Sequence, residues 1–266
     1  MSYRLPVLLC LLLSACVKKP TMDRYVPPAE AAWFKFKRSL PEEGRQMIPG
    51  SMAVAMRIAS AHFLPWDVEP PAKATAMGSC LLQRQSWDVE MVPWAGNVML
   101  VDFTLSPGAC QWGGSLPMDL GATYAVGMQE GRILAIAYPA HPPEGPVSFK
   151  FPEQLPRENL QHLEGNTAAA IQLATDDFLA SAPGDSSEPP CVSQLPSYDV
   201  TAAPAGEGVT LVRFDVNDER CPPLGPPDII EGRKHFGPSF ITTYAIDIRT
   251  MRILGIDLTT RQRFAD

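Results

Sequence analysis

Beyond Ala15 the chain holds no apolar run long enough to span a bilayer, no cluster of basic side chains and no Cys-x-x-Cys pair. Each absence removes a class of function. Without a stretch of about twenty apolar residues, no further membrane-spanning helix is expected. A formal charge of −7, with its lysines and arginines dispersed, offers no surface for a phosphate backbone, so no nucleic-acid partner is expected. Histidine is scarce: His62, His141, His162 and His235 are the full set, and none lies at ligand spacing from a cysteine. Neither a metal nor another cofactor is therefore expected. Gly-x-Ser-x-Gly, His-Glu-x-x-His and a glycine-rich phosphate loop are missing as well, which leaves no catalytic set to name from motifs. What the chain has in excess is proline, 28 of 266 residues, about twice the usual share. Many short elements joined by loops are the expected consequence.

The N-terminus has a different character. Arg4 precedes an apolar stretch from Leu5 to Leu13 that is too short for a stable transmembrane helix and has the form of a secretory h-region. It ends in Leu13-Ser14-Ala15-Cys16, small residues followed by a cysteine, which resembles the lipobox of bacterial lipoproteins. The resemblance implies export, cleavage before Cys16 and acylation of its thiol. Such anchors carry several acyl chains, each buried methylene contributing about 0.8 kcal/mol, so attachment to the membrane is effectively permanent. Residues 1–15 are then a signal peptide (palmitate or a related acyl group replacing it as the anchor), and residues 16–39 a tether and linker. Val17, where some lipoproteins carry aspartate, implies the outer membrane with the body facing the periplasm. Loss of Arg4 with the signal makes the mature body one unit more negative.

Internal repetition organises the remainder. Leu40-Pro41-Glu42-Glu43 recurs as Leu155-Pro156-Arg157-Glu158, and at the same offset Gln46 to Leu64 lies over Gln161 to Leu179, matching Gly50 with Gly165 and Phe63-Leu64 with Phe178-Leu179. A second block sets Cys80 to Cys110 over Cys191 to Cys221 without a gap, pairing Asp88-Val89 with Asp199-Val200 and Phe103 with Phe214. A third sets Thr123-Tyr124-Ala125 and Arg132-Ile133-Leu134 against Thr243-Tyr244-Ala245 and Arg252-Ile253-Leu254. Three collinear blocks read as two copies of one unit: repeat 1 over 40–140, a linker over 141–154 and repeat 2 over 155–266.

Each copy can be read for secondary structure independently. Met52 to Leu64 and Thr167 to Leu179 have apolar residues at helical spacing, with Ser51 and Asn166 placed as N-caps. Trp87 to Met91 and Tyr198 to Ala202 alternate like half-buried strands, Val98 to Leu105 and Val209 to Val216 are rich in β-branched residues, and a closing hairpin follows. The expected fold is α+β, two tandem repeats, each one helix followed by an antiparallel β-meander of about four strands. That order, and the strand-turn-strand end Tyr244 to Leu254, is similar to PepSY-like and cystatin-like domains, although Met251 stands where their turn usually carries glycine. The similarity implies a periplasmic protease inhibitor as one possible role.

Four cysteines remain after acylation of Cys16, in an oxidising compartment. Cys80 and Cys110 lie equally far on either side of the first strand connection near Ala95, and Cys191 and Cys221 flank Ala205-Gly206 in the same way. Antiparallel strands place equidistant positions opposite each other, so the expected disulfides are Cys80–Cys110 and Cys191–Cys221.

Differences between the copies are the better pointers to function. The second carries nine extra residues before Thr243, and they hold Arg233, Lys234, His235 and Phe236, a basic and aromatic cluster suited to contacting a partner. In the first, Trp87, Trp94 and Trp112 surround the predicted hairpin, where they either form a binding patch or pack into the core. Trp33-Phe34-Lys35-Phe36-Lys37-Arg38 is basic and aromatic, suited either to covering the first copy or to touching lipid headgroups. The leading expectation is a non-catalytic binding or scaffold lipoprotein whose partner is another envelope protein. A hydrolase with its site between the repeats, using groups such as His235 and Asp228, is the enzymatic alternative.

Overall fold

The computed structural model describes residues 24–37, 39–110, 120–139, 141, 144–145, 149–181, 190–222, 228–230 and 233–265, with backbone alone at 190, 228–230, 233–240 and 261–265. The chain is α+β. Its α-helices among these residues are α1 (Pro28–Ala31), α2 (Gly50–Phe63), α3 (Ala76–Leu81) and α4 (Gly165–Ser181). Its strands are β1 (Gln46–Pro49), β2 (Trp87–Trp94), β3 (Val98–Leu105), β4 (Ala122–Gly127), β5 (Arg132–Ala137), β6 (Gln161–Leu163), β7 (Tyr198–Gly206), β8 (Val209–Val216), β9 (Asp228–Ile230), β10 (Arg233–Asp247) and β11 (Arg252–Ala265). They form two sheets. One runs β5-β4-β3-β2-β6; the other runs β1-β7-β8-β10-β11 with β9 added to the far part of β10. Every pairing within them is antiparallel.

A short strand precedes each long helix, which the expected helix-first order omits, and each of these strands sits in the sheet built from the other part of the chain. β1 pairs with β7, placing Ile48 opposite Val200, while β6 pairs with β2, placing Leu163 opposite Val89. The two edges meet where the Gln46 side-chain amide donates to the His162 carbonyl at 3.0 Å.

Both long helices start one residue before the expected N-cap. Pro49 occupies the N-cap position of α2 and makes no side-chain cap bond, so Ser51 lies inside the helix. The reason is steric. A Cβ on Gly50 would fall 1.9 Å from the Leu195 carbonyl oxygen, and one on Gly165 would fall 2.2 Å from that of Gln85. Only glycine lets each helix begin against the turn that leads into β7 or β2. For α4 the capping acceptor comes from far away in sequence: Asp88 on β2 accepts from the Gly165 N–H at 2.8 Å.

One continuous core holds the helices and the inner faces of both sheets. Phe63 at the end of α2 stacks on Phe103 with centroids 4.4 Å apart and meets Trp87 and Tyr124 edge-on. Phe178 on α4 stacks on Phe214, also at 4.4 Å, and meets Tyr198 edge-on. Offset stacks and T-shaped pairs of this kind add about 0.5–1.5 kcal/mol each beyond area burial.

The outer faces are covered too, which explains why the central strands are buried on both sides. Phe34, Phe36 and Leu40 lie over Ala203, Val209, Leu211 and Ala245. Phe149, Phe151 and Leu155 lie over Val92, Val98, Leu100 and Ala125. Phe34 and Phe36 therefore lie on strands β7, β8 and β10, not on the strands within residues 40–140 that their segment was expected to cover. The hairpin turns differ in one instructive way: Gly131 has φ of 61°, and Met251 adopts φ of 50° while only 4 % exposed. Burial of the methionine offsets a backbone conformation that favours glycine.

The disulfides are Cys80–Cys110 and Cys191–Cys221, with Cα separations of 5.8 and 5.6 Å. Each ties the segment before one strand hairpin to the segment after it.

Candidate functional site

One groove, about 870 Å³, opens on the β1 edge and is lined by Glu42, Arg45, Met47, Asp199, Arg213 and Asp215, among others. A second, about 660 Å³, lies beside β6 and is lined by Gln85, Asp88, Ser106, His162, Glu164 and Asn166, among others. Each contains one of the aspartates matched in the sequence blocks, and each aspartate binds the residue just past the neighbouring strand. The Ser106 hydroxyl donates to Asp88, and the Asn217 amide donates to Asp199 at 3.0 Å. Asp199 also accepts from the Arg220 guanidinium. This is turn bonding, and it occupies both carboxylates.

The two outer faces carry different chemistry at matched places. On β3, Asp102 accepts from the Thr123 hydroxyl and stands directly opposite Glu90. Burial, with Glu90 adding to it against the Thr123 hydrogen bond, holds the Asp102 carboxyl above the usual carboxylate range. On β8 the corresponding residue is Arg213, whose Nε donates to Thr243 at 3.4 Å, opposite Thr201. His162 on β6 lies 3.5 Å from Glu90 and 3.9 Å from Asp88; Met47, 60 % exposed, takes its place on β1.

The helix ends also differ. His62 Nδ1 is 3.1 Å from the Tyr124 hydroxyl. At the matched position of α4 stands Asp177, which is 6 % exposed and accepts from the Tyr25 hydroxyl through both oxygens, at 2.8 and 2.7 Å. Burial together with the Asp177 carboxylate pushes Tyr25 up to about 12. Tyr25 belongs to a short strap that bridges Ile253 on β11: Val26 N–H donates to the Ile253 carbonyl, and Ile253 N–H to that of Arg24. A further buried cation, Arg84, donates to the Leu64 and Ser60 carbonyls at the end of α2 and to Gln172, and it lies 3.8 Å over the Trp66 ring. Burial lowers it to about 10, which leaves it charged at neutral pH. Its partners are backbone and helix terminus, so it joins the two helices.

The tryptophans do not gather. Trp87 points inward, is 5 % exposed and donates from its indole N–H to the Leu81 carbonyl at 3.0 Å. Trp94, at an alternate position of the same strand, faces outward onto the cluster over which Phe149 and Phe151 lie. Strand parity puts them on opposite faces, and Trp112 lies outside the described residues. Cys16 does also. Arg233, Lys234, His235 and Phe236 fall on β10, beyond Ile241, the first of its residues to pair with β8; their side chains lie outside the description. β9 sets Asp228 opposite His235 there, on a ribbon to which β1–β8 contribute no strand.

Sequence reasoning missed the strap and the two phenylalanine clasps, Phe34 with Phe36 over one sheet and Phe149 with Phe151 over the other. The clasps had a signal: Phe34-Lys35-Phe36 and Phe149-Lys150-Phe151 are identical tripeptides at the offset of the first block. The Tyr25–Asp177 contact had none, because it joins residues 152 apart in sequence.

Among the described residues no helix is long and apolar enough to cross a membrane, and no group of three or more His, Cys, Asp or Glu side chains could hold a metal ion. No family model, curated protein or solved structure matches the chain.

Proposed function

We propose that the chain is an exported lipoprotein, acylated at Cys16 and held at the outer membrane facing the periplasm, where its body binds another envelope protein without catalysing a reaction. The body is read as two copies of one strand–helix–meander unit that exchange their clasps and first strands. The observation that carries the reading is the matched pair of disulfides, Cys80–Cys110 and Cys191–Cys221, at the same places in the two sequence blocks. Such bridges persist in the oxidising compartment to which the Leu13-Ser14-Ala15-Cys16 signal points. The groove of about 870 Å³ beside β1 is the favoured partner surface, because its Arg213 and the exposed Met47 are what the second sheet has in place of Asp102 and His162.

Affinity purification of the tagged protein from crosslinked membranes tests this. A stoichiometric envelope partner that is lost in Arg213→Glu supports the reading. Repeated recovery of no partner, or an N-terminal peptide whose mass shows Cys16 unmodified, removes the binding or the anchoring part respectively.

A further inference from the structure

The edge of β11 carries the exposed apolar side chains of the described body in unusual density. Leu258 is 70 % exposed and Ile256 37 %; Tyr25, bridged to Ile253 of the same strand, is 44 % exposed and Trp33 46 %. Trp33 joins this edge because α1 packs on β11 and because the Phe36 ring lies 3.3 Å from where a Gly255 side chain would be. Among the described residues, the free side of β11 takes only the Tyr25–Ile253 bridge. The charge here is opposite in sign to that of the protein as a whole. Residues 24–37 of the strap and its continuation and 252–260 of β11 carry Arg24, Lys35, Lys37 and Arg252 against Glu30 and Asp257, within a chain of net charge −7.

The chain enters the body at this same edge. Cys16 precedes Arg24 by eight residues, and eight peptide units reach at most about 29 Å. An acyl anchor on Cys16 thus holds the β11 edge within that distance of the bilayer, while the strap fixes Arg24 to Val26 against Ile253.

We infer that the β11 edge with its strap is a membrane-facing surface, which lies on anionic lipid headgroups with Tyr25, Trp33, Ile256 and Leu258 at the interface and Arg24, Lys35 and Lys37 against phosphate, Arg252 being held by the Tyr25 carbonyl. Amphipathic aromatic side chains favour that depth, and juxtamembrane lysine and arginine are drawn to anionic leaflets. The grooves beside β1 and β6, at the other ends of the sheets, then face away from the lipid. The inference rests on the lipoprotein reading for its biological setting, but not for its test.

The full mature chain with Cys16→Ser cannot be acylated and is mixed with vesicles of phosphatidylethanolamine and phosphatidylglycerol. A polarity-sensitive fluorophore is placed at Leu258→Cys or, on the opposite edge, at Met47→Cys. The expected result is partitioning that falls with added salt, with a blue shift and quenching by bilayer-embedded quenchers at position 258 only. Lys35→Glu with Lys37→Glu is expected to weaken partitioning at least tenfold, each basic residue near an anionic surface contributing about 1 kcal/mol. Absence of partitioning at high lipid, equal responses at both positions, or protection of position 258 by a protein partner alone overturns the inference. An unmodified Cys16 in the native protein would defeat the anchor instead, and leaves this vesicle result standing.

Discussion

The two sheets have the same interior and different exteriors. Inside, Phe63 on Phe103 beside Trp87 and Tyr124 is repeated by Phe178 on Phe214 beside Tyr198 and Tyr244, down to the 4.4 Å stacking distance. Outside, Asp102 answers to Arg213, Glu90 to Thr201 and His162 to Met47. A folded body must keep the packing that holds it, because interiors are close-packed and a lost ring is felt at once. Its solvent-facing positions are free to diverge, so specificity is to be sought there. The glycines fall on the first side of that division: Gly50 and Gly165 are needed because each helix begins against distant backbone, at Leu195 and at Gln85.

The most severe way to break the comparison is to separate the repeats. Residues 24–140 and 141–266 expressed singly each lack one edge strand and one clasp of their sheet, and neither is expected to show cooperative unfolding by circular dichroism. Mixing the two is expected to restore it. A single fragment that unfolds cooperatively would sink the exchanged arrangement. Next in size, Phe103→Ala and Phe214→Ala, at the buried side of the two stacks, should each cost about 3–5 kcal/mol, as large-to-small changes at buried aromatic positions do. Chemical denaturation of both variants checks whether the two interiors are energetically as alike as they are geometrically.

The disulfides should rank just below. Each links cysteines 30 residues apart, so Cys80→Ser with Cys110→Ser, or Cys191→Ser with Cys221→Ser, should lose about 3 kcal/mol in the chain-entropy account. Unequal losses would mean that one bridge is strained or that its reduced chain keeps residual structure. Tyr25→Phe is smaller and one-sided. It removes the hydroxyl that donates to the buried Asp177, for a loss of about 1–3 kcal/mol, whereas His62→Ala on the other helix removes an exposed group and should cost less. Proteolysis between Arg24 and Leu40, expected to quicken in the Tyr25→Phe variant alone, reads out the strap directly.

These elements were unequally visible in the sequence. The long strands and helices were legible because periodicity and duplication each give a reading, and Val98–Leu105 and Val209–Val216 have the bounds that their β-branched runs suggest. The disulfide pairing was legible because equidistance from a hairpin turn is a property of sequence numbering. β1 and β6 were not, since four and three residues are too few for alternation to register. Their exchange was further out of reach: which sheet receives Ile48 depends on Gly50 fitting against Leu195, a contact between distant residues. Trp87 and Trp94 were left between an exposed patch and the core; alternation along the strand, which separates odd from even positions, puts Trp87 in the core and Trp94 on the opposite face.

The smallest expected effect concerns pH, and it divides the sheets by sign. Burial, outweighing the hydrogen bond from Thr123, raises the Asp102 carboxyl in the folded state above its unfolded value. Between those two values the folded chain binds more protons than the unfolded one, so this group's contribution to stability declines as pH rises through that interval and stays unfavourable above it. Asp247 on β10 is the opposite case. Burial raises it, but the Arg249 N–H at 3.0 Å, the Arg249 guanidinium at 3.2 Å and the Thr250 hydroxyl at 3.1 Å together hold it below the ordinary value. Its stabilisation is present above the unfolded carboxylate value and is lost as pH falls through the folded one. Asp102→Asn should therefore raise stability at pH 7 and lose that advantage in acid, while Asp247→Asn should lower stability at pH 7 and converge with the parent in acid. Denaturation midpoints measured from pH 3 to pH 7 separate the two. Parallel curves for both variants would mean that neither carboxylate is perturbed by its sheet, and the contrast between the outer faces would then rest on Arg213 and His162 alone.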